Sequence, residues 1–193
     1  MRRSCWCGTA LAAWVLMGML PSNSAAGVTS VVSTAQVLVP GAMSFGGGMM
    51  MWLDPVKFGG LAEFNYGIGH MMDLNAKAGY SGHEAYFGAD VEFALAPPRL
   101  RSNVMFSVAA GAHVHKKFGL DGTLIASLPL RPGIASVALD ADINFTDPET
   151  TVPVNLVLGF ERSLSRTVAV NGELGVNITD SQNYLSLGLT FFP

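Results

Sequence analysis

Residues 168–191 read VAVNGELGVNITDSQNYLSLGLTF. Val168, Val170, Leu174, Val176 and Ile178 fall on one parity, and Ala169, Asn171, Glu173, Gly175 and Asn177 on the other. After Thr179-Asp180-Ser181, Leu185, Leu187, Leu189 and Phe191 alternate with Ser186, Gly188 and Thr190. Successive side chains of a strand point to opposite faces, so a period of two predicts strands. A helix would space its apolar residues by three and four. The stretch therefore predicts two strands joined by a turn, each with one apolar face and one face of small and polar residues.

The same alternation runs backward to about residue 43. Leu156, Leu158 and Phe160 oppose Asn155, Gly159 and Glu161, and Val137, Leu139 and Ile143 oppose Ser136, Asp140 and Asp142. Val104, Phe106 and Val108 oppose Asn103, Ser107 and His113, while Phe87, Val91 and Phe93 oppose Glu84, Asp90 and Glu92. Leu74 and Tyr80 oppose Asp73 and Lys77, and Phe64 and Tyr66 oppose Glu63 and Asn65. Asp54-Pro55, Ser81-Gly82, Pro97-Pro98, Arg131-Pro132-Gly133 and Asp147-Pro148 supply turns between the segments. The segments are about 9–13 residues long, close to the 9–11 that a tilted strand needs to cross a bilayer. Short connections predict antiparallel hairpins.

Alternation does not say which face is outside. A soluble β-sandwich or lipocalin-like barrel turns its apolar face inward, and a membrane barrel turns it outward. The polar face decides. It is rich in Gly, Ser, Asn and acids and poor in Lys, and charged residues are 13% of the chain while apolar residues are 50%. A soluble exterior carries about 25–35% charged residues of both signs. Aromatic residues also fall toward strand ends, as in interfacial girdles. Phe45, Tyr66, Phe93, Phe106, Phe160 and Phe191 are expected at one rim, and Tyr80, Phe87, Phe118 and Phe145 at the other. The fold class expected is all-β, an antiparallel transmembrane barrel of about 8–10 strands. A soluble periplasmic β-protein ranks below it.

The chain divides into three. Residues 1–26 have the form of a secretory signal peptide: Arg2 and Arg3, an apolar run from Thr9 to Leu20, Pro21, then Ser24-Ala25-Ala26 before the expected cut. Cys5 and Cys7 precede the apolar run, so lipidation is not expected and the mature chain has no cysteine. Disulfides and thiolate chemistry are thereby excluded. Residues 27–42 lack a clear period and read as a lead or plug segment. Residues 43–193 form the barrel domain. Without Arg2 and Arg3, nine Lys+Arg face 14 Asp+Glu, a net charge of about −5 that argues against nucleic acid as a partner.

The last strand, Tyr184-Leu-Ser-Leu-Gly-Leu-Thr-Phe-Phe-Pro193, resembles the C-terminal strand of bacterial outer-membrane proteins. Leu185, Leu187, Leu189 and Phe191 match that pattern, although the chain ends in Pro193 rather than Phe. The resemblance implies that these residues are an assembly signal read by the outer-membrane assembly machinery. Across residues 43–193 the chain resembles the small porin-like barrels of the OmpA/OmpX/OmpW type. That likeness implies a bacterial outer-membrane location and the lipid bilayer as a partner. It also implies eight strands with long outer loops, whereas this sequence shows about ten strands and short loops.

Glu63, Lys77, Asp90, Glu92, His113, Asp140, Asp142, Glu161 and Glu173 are the candidate pore-lining residues. Asp73 and Asp121 stand near the mouths, with further positive charge expected from the turns at Arg99, Arg101, Arg131, Arg162 and Arg166. A surplus of acids on the inner face supports a narrow porin-like channel for small polar solutes or cations, since cation pores use acidic rings. The alternative is a closed structural or adhesive barrel whose acids, Lys77 and asparagines bond one another. Inward glycines either leave space for water or accommodate Met50, Trp52 and Tyr86. No G-x-S-x-G elbow accompanies His113, and Phe45-Gly46-Gly47-Gly48-Met49 lacks the Lys-Ser/Thr of a phosphate loop. His113 and His115, with His83 in a neighbouring turn, could form an imidazole metal cluster, but loop histidines more often face solvent, and that is the reading preferred. No enzyme activity, metal or cofactor is expected.

Overall fold

The computed structural model describes residues 34–81, 84–95, 104–145, 150–179 and 182–193. The signal-peptide expectation and His83 lie outside the described residues. Ten strands follow one another: β1 (Met43–Leu53), β2 (Val56–Gly69), β3 (Met72–Ser81), β4 (Glu84–Ala94), β5 (Met105–His115), β6 (Lys117–Pro129), β7 (Ile134–Asn144), β8 (Val154–Ser163), β9 (Val168–Thr179) and β10 (Tyr184–Phe191). Each pairs antiparallel with its neighbours, and β1 closes on β10, so the sheet is a barrel without a free edge. Closure satisfies every ladder group within the wall, the condition for a sheet in hydrocarbon.

The strand count is ten, not the eight implied by the OmpA/OmpX/OmpW likeness. The tightest turns join β1 to β2 through Asp54-Pro55 and β5 to β6 through Lys116 alone, whereas residues 95–104 between β4 and β5 and 145–153 between β7 and β8 make longer connections than the sequence indicated. Lys116 takes a φ of 60°, a left-handed conformation that this one-residue turn imposes on a non-glycine residue.

The faces are inverted relative to a soluble protein. Met49 and Leu187 leave 69% and 66% of their surface exposed in the isolated chain, whereas Glu92 is 2% and Asp142 0% exposed. Exposed Leu74, Val108, Leu124, Leu139 and Leu158 continue the apolar belt around the wall. Two aromatic girdles bound this belt. Phe45, Tyr66, Phe93, Phe106, Phe160 and Phe191 are exposed at the rim where β1 begins and β10 ends, here the terminal rim. Tyr80, Phe87, Phe118 and Phe145 are exposed at the far rim, where the Phe118 and Phe145 rings stack 6.0 Å apart. An apolar belt outside, girdles at both ends and polar residues inside define a transmembrane β-barrel.

Residues 34–42 cross the terminal mouth. The Ala35 N–H donates to Ser127 Oγ on β6 at 2.9 Å, and the Leu38 N–H donates to Asp73 Oδ2 on β3 at 2.6 Å. The Gly41 N–H then reaches the Gly67 carbonyl at 2.8 Å, and the chain enters β1. β6 lies opposite β1 in the ring of strands, so this segment is a strap across the opening. Gly67 permits its close approach, because a Cβ there would strike the Val39 backbone.

Candidate functional site

The interior is polar, built by the inward parity of all ten strands. Glu63, Asp73, Asn75, Asp90, Glu92, His113, Asp140, Asp142, Asn155, Asn171 and Glu173 are all buried there. Lys77 and Glu161 share the same face and are partly buried. Every candidate pore-lining residue therefore faces inward, but the buried ones contact neighbours across the strands rather than a wide aqueous channel. Leu185, Leu187, Leu189 and Phe191 are exposed on the opposite, outward face of β10.

The interior sorts into local clusters set by register. Glu63 on β2 is opposite Lys77 on β3, and Asn75 on β3 is opposite Asp90 on β4. Asn75 Nδ2 donates to Asp90 Oδ1 at 2.7 Å, and Lys77 Nζ lies 3.2 Å from Asp90 Oδ2. Lys77 is the one lysine or arginine among the described residues that is not exposed. On β6 and β7, Asp121 is opposite Asp142 and Thr123 opposite Asp140. Thr123 Oγ1 donates to Asp140 Oδ1 at 2.6 Å. His113 on β5 contacts Asp121 through Nδ1 and lies 2.8 Å from Asn144 Oδ1 through Nε2. On the third wall, Asn171 Nδ2 donates to Thr190 Oγ1 at 3.1 Å, and Ser186 Oγ donates to Glu173 Oε2 at 3.3 Å.

The two ends of the interior differ, one packed with side chains and the other crossed by the strap. Toward the far rim, buried Met50, Trp52, Tyr86 and Tyr184 belong to an apolar cluster. Their rings lie where the strand pattern supplies glycine: a Cβ on Gly175 would run into the Tyr184 ring, and one on Gly88 would meet Tyr86. At the terminal mouth the strap roofs a cavity of about 460 Å³ lined by Gln36, Ser44, Asn65, Glu161, Arg166 and Thr190, among others.

Some interior residues escaped the sequence reading. Ile125, Ala138 and Val157 are apolar yet buried on the inner face. Their parity assigns them inward, but residue type alone favours lipid. The pairing of Asn144 with His113 spans two strand pairs, so no alternation within one strand reveals it. Of the turn arginines expected to bring positive charge, Arg99 and Arg101 lie outside the described residues, and the other three do not reach the interior acids. Arg131, Arg162 and Arg166 are exposed near the terminal rim and make no ion pair among the described residues. They sit in or beside connections, where their side chains reach water more readily than the acids inside.

Fold and interior together define a transmembrane β-barrel with a polar, acid-rich core. No protein-family model and no curated protein matches the sequence. Among solved structures, a de novo designed transmembrane β-barrel is similar at 12% identity and a TM-score of 0.47, covering 82% of this chain and 100% of its own. The KdgM porin in complex with disordered oligogalacturonate matches at 7% identity and a TM-score of 0.46, over 78% of this chain and 98% of its own. The N-terminal β-barrel domain of Pseudomonas aeruginosa OprF matches at 11% identity and a TM-score of 0.41, over 80% and 98%.

Proposed function

We propose that the chain is an outer-membrane barrel of a double-membraned bacterium whose interior is closed in the conformation described. The observation that carries this reading is the burial of the interior acids: Glu63, Asp90, Glu92, Asp140, Asp142 and Glu173 are each at most 8% exposed. A wide aqueous pore would leave such side chains wet. The strap across one mouth and the aromatic cluster near the other support the same reading. Its working part is then the membrane-embedded wall and the short loops it presents, as in a structural or adhesive barrel of porin-like form. Insertion through the assembly machinery, with Leu185, Leu187, Leu189 and Phe191 as its signal, belongs to the same proposal.

A second reading is a narrow porin-like pathway for small polar solutes or cations. Two observations favour it. Acids outnumber Lys77 inside, and the terminal-mouth cavity is lined in part by the inner-face residues Ser44, Asn65, Glu161 and Thr190. Acidic rings select cations. Single-channel recording of the purified chain in a planar bilayer under a salt gradient separates the two. Silence from a chain shown to be folded by heat-dependent gel mobility supports the closed barrel. Stable openings with a cation-biased reversal potential, altered by Asp140→Asn with Asp142→Asn, overturn it in favour of the pathway.

A further inference from the structure

Three consecutive strands bring three ligand-type side chains to one point in the far half of the interior. One atom each from His113 on β5, Asp121 on β6 and Asp142 on β7 lie within 4.8 Å of one another. Register delivers them. Asp121 stands opposite Asp142 on one side and Gly111 on the other, while His113 stands opposite Gly119. Neither glycine has a side chain to fill the space between.

The contact with Asn144 assigns a hydrogen to one nitrogen of the imidazole. His113 Nε2 lies 2.8 Å from Asn144 Oδ1. An amide oxygen only accepts, so Nε2 carries hydrogen and donates. In the neutral ring Nδ1 then bears the lone pair, and Nδ1 is in contact with Asp121 Oδ1. A lone pair against a carboxylate oxygen repels unless a positive charge lies between them. The Tyr86 ring stacks on His113 at 5.7 Å and 27°, which restricts rotation of the imidazole.

Asp142 is the independent observation that points to a ligand. It is 0% exposed, no N–H or hydroxyl group among the described residues donates to either of its carboxylate oxygens, and the side chain it meets is the Asp121 carboxyl, itself an acceptor unless a proton or a cation lies between them. The groups it shares the cluster with are a second carboxylate and an imidazole. A buried carboxylate is stable only with a partner of opposite charge or a proton. Lys77 does not serve, because its ammonium is 3.2 Å from Asp90. His115 does not serve either, because it faces Glu84 at 3.1 Å.

We propose that His113 Nδ1, Asp121 and Asp142 form a binding site for one divalent transition-metal ion of the zinc class. One imidazole nitrogen with two carboxylates suits zinc or a neighbouring first-row ion. Calcium and magnesium prefer oxygen ligands throughout. The Nε2–H donated to Asn144 is the outer bond that a metal-bound histidine makes, fixing its tautomer and raising its basicity. Three protein ligands leave a fourth position for water or an anion. Two carboxylates balance the charge of the ion, which takes the place of protons shared among the three groups and releases them to solvent on binding. Asp121, 15% exposed through its side chain, is the point of entry. The site does not depend on whether the barrel conducts.

The test uses the full chain expressed in a bacterium and purified in detergent, stripped with a chelator, then dialysed against Zn²⁺ and assayed for bound metal. One zinc per chain is expected. Asp142→Asn and Asp121→Asn lose it, Asn144→Ala weakens it about 10–100-fold, and Glu173→Gln on the opposite wall keeps it. A folded wild-type chain that binds no zinc, or an Asp142→Asn chain that binds as tightly as wild type, overturns the proposal. Should the Asp variants fail to fold, nitrogen NMR of the wild-type imidazoles decides, with His113 assigned through His113→Gln. Zn²⁺ is expected to shift the His113 Nδ1 resonance, and an unmoved resonance overturns the site.

Discussion

The wall formed by β2, β3 and β4 and the wall formed by β5, β6 and β7 use the same residue types and reach different states. On the first, Lys77 pairs with Asp90 and stands opposite Glu63, and Asn75 completes the shell of Asp90. On the second, Asp121, Asp140 and Asp142 gather around Thr123, His113 and Asn144 with no lysine or arginine among them. A single ammonium separates a cluster that holds its own cation from one that holds no lysine or arginine. The interior of this barrel is thus not a uniformly acidic tube. Its charge is balanced, or left unbalanced, strand pair by strand pair.

The largest effect should come from removing the cation of the first wall. Lys77→Met leaves Asp90 and Glu63 buried without it. Breaking one side of a buried pair costs about 3–5 kcal/mol, read as a lower urea midpoint for loss of the heat-modifiable folded band in detergent. Because the fault would be the unpaired acid, Lys77→Met combined with Asp90→Leu should recover most of the loss. An unchanged midpoint in the single variant would break the comparison, since Lys77 would then not be what neutralises that wall.

Next is a test of inside against outside on one strand. Leu187 lies mid-strand on β10, 66% exposed on the apolar belt, beside inward Ser186. Leu187→Arg should destabilise the barrel in lipid by about 2–4 kcal/mol, the cost of a cation near the bilayer midplane. In a soluble barrel the same change at so exposed a position would be nearly neutral. A neutral result in lipid would therefore contradict the membrane-facing assignment itself.

A change of opposite sign sharpens the contrast between the walls. Asp142→Asn, made in metal-free buffer, removes a buried carboxylate without a donor and gives Asp121 an amide to accept from. Relief of an unsatisfied buried group is worth about 1–3 kcal/mol, so the variant should unfold at higher urea than wild type. Adding Zn²⁺ should stabilise wild type and leave the variant where it was. The corresponding change on the first wall, Asp90→Asn, should destabilise instead, because there the carboxylate has its ammonium.

The fold was legible in the sequence because a membrane barrel writes its two faces separately. Residues such as Val168, Val170 and Leu174 face lipid, Ala169, Asn171 and Glu173 face the interior, and proline, glycine and aspartate mark the turns. Parity alone placed both aromatic girdles and every candidate interior acid on the correct side. What parity does not give is distance around the ring. That Asn144 on β7 reaches His113 on β5 depends on register summed over two hairpins and on the absence of a side chain at Gly119 between them. The burial of Ile125 and Val157 was hidden for the opposite reason. Their residue type suits either face, and only closure of the barrel shows that the interior has apolar floors among its polar clusters. The strap was least legible, because residues 27–42 have no period, and its described part, 34–42, is held in part through backbone N–H groups, which sequence does not distinguish.

The strap touches both walls, so it offers the finest test of how each wall holds it. Its bond to β3 runs from the Leu38 N–H to the Asp73 carboxylate at 2.6 Å, and its bond to β6 from the Ala35 N–H to the Ser127 hydroxyl at 2.9 Å. Bonds to a charged acceptor are worth about 1.5–3 kcal/mol and neutral ones about 0.5–1.5 kcal/mol. Asp73→Ala should therefore loosen the strap more than Ser127→Ala, while Asp73→Asn, which keeps a carbonyl acceptor, should fall between wild type and Asp73→Ala. Loss of either tether changes global stability little, because the strand ladder remains intact. The sensitive readout is local. A cysteine at Gln36, on the wall of the terminal cavity, should react with a water-soluble thiol reagent slowest in wild type, faster with Ser127→Ala and fastest with Asp73→Ala. Equal rates in the two variants would mean that the strap is held by its packing against Gly67 and β1 rather than by these two bonds. If the rates rise in the expected order but the bilayer stays silent, the closure that matters lies at the aromatic cluster of Trp52, Tyr86 and Tyr184, on the other side of the interior clusters.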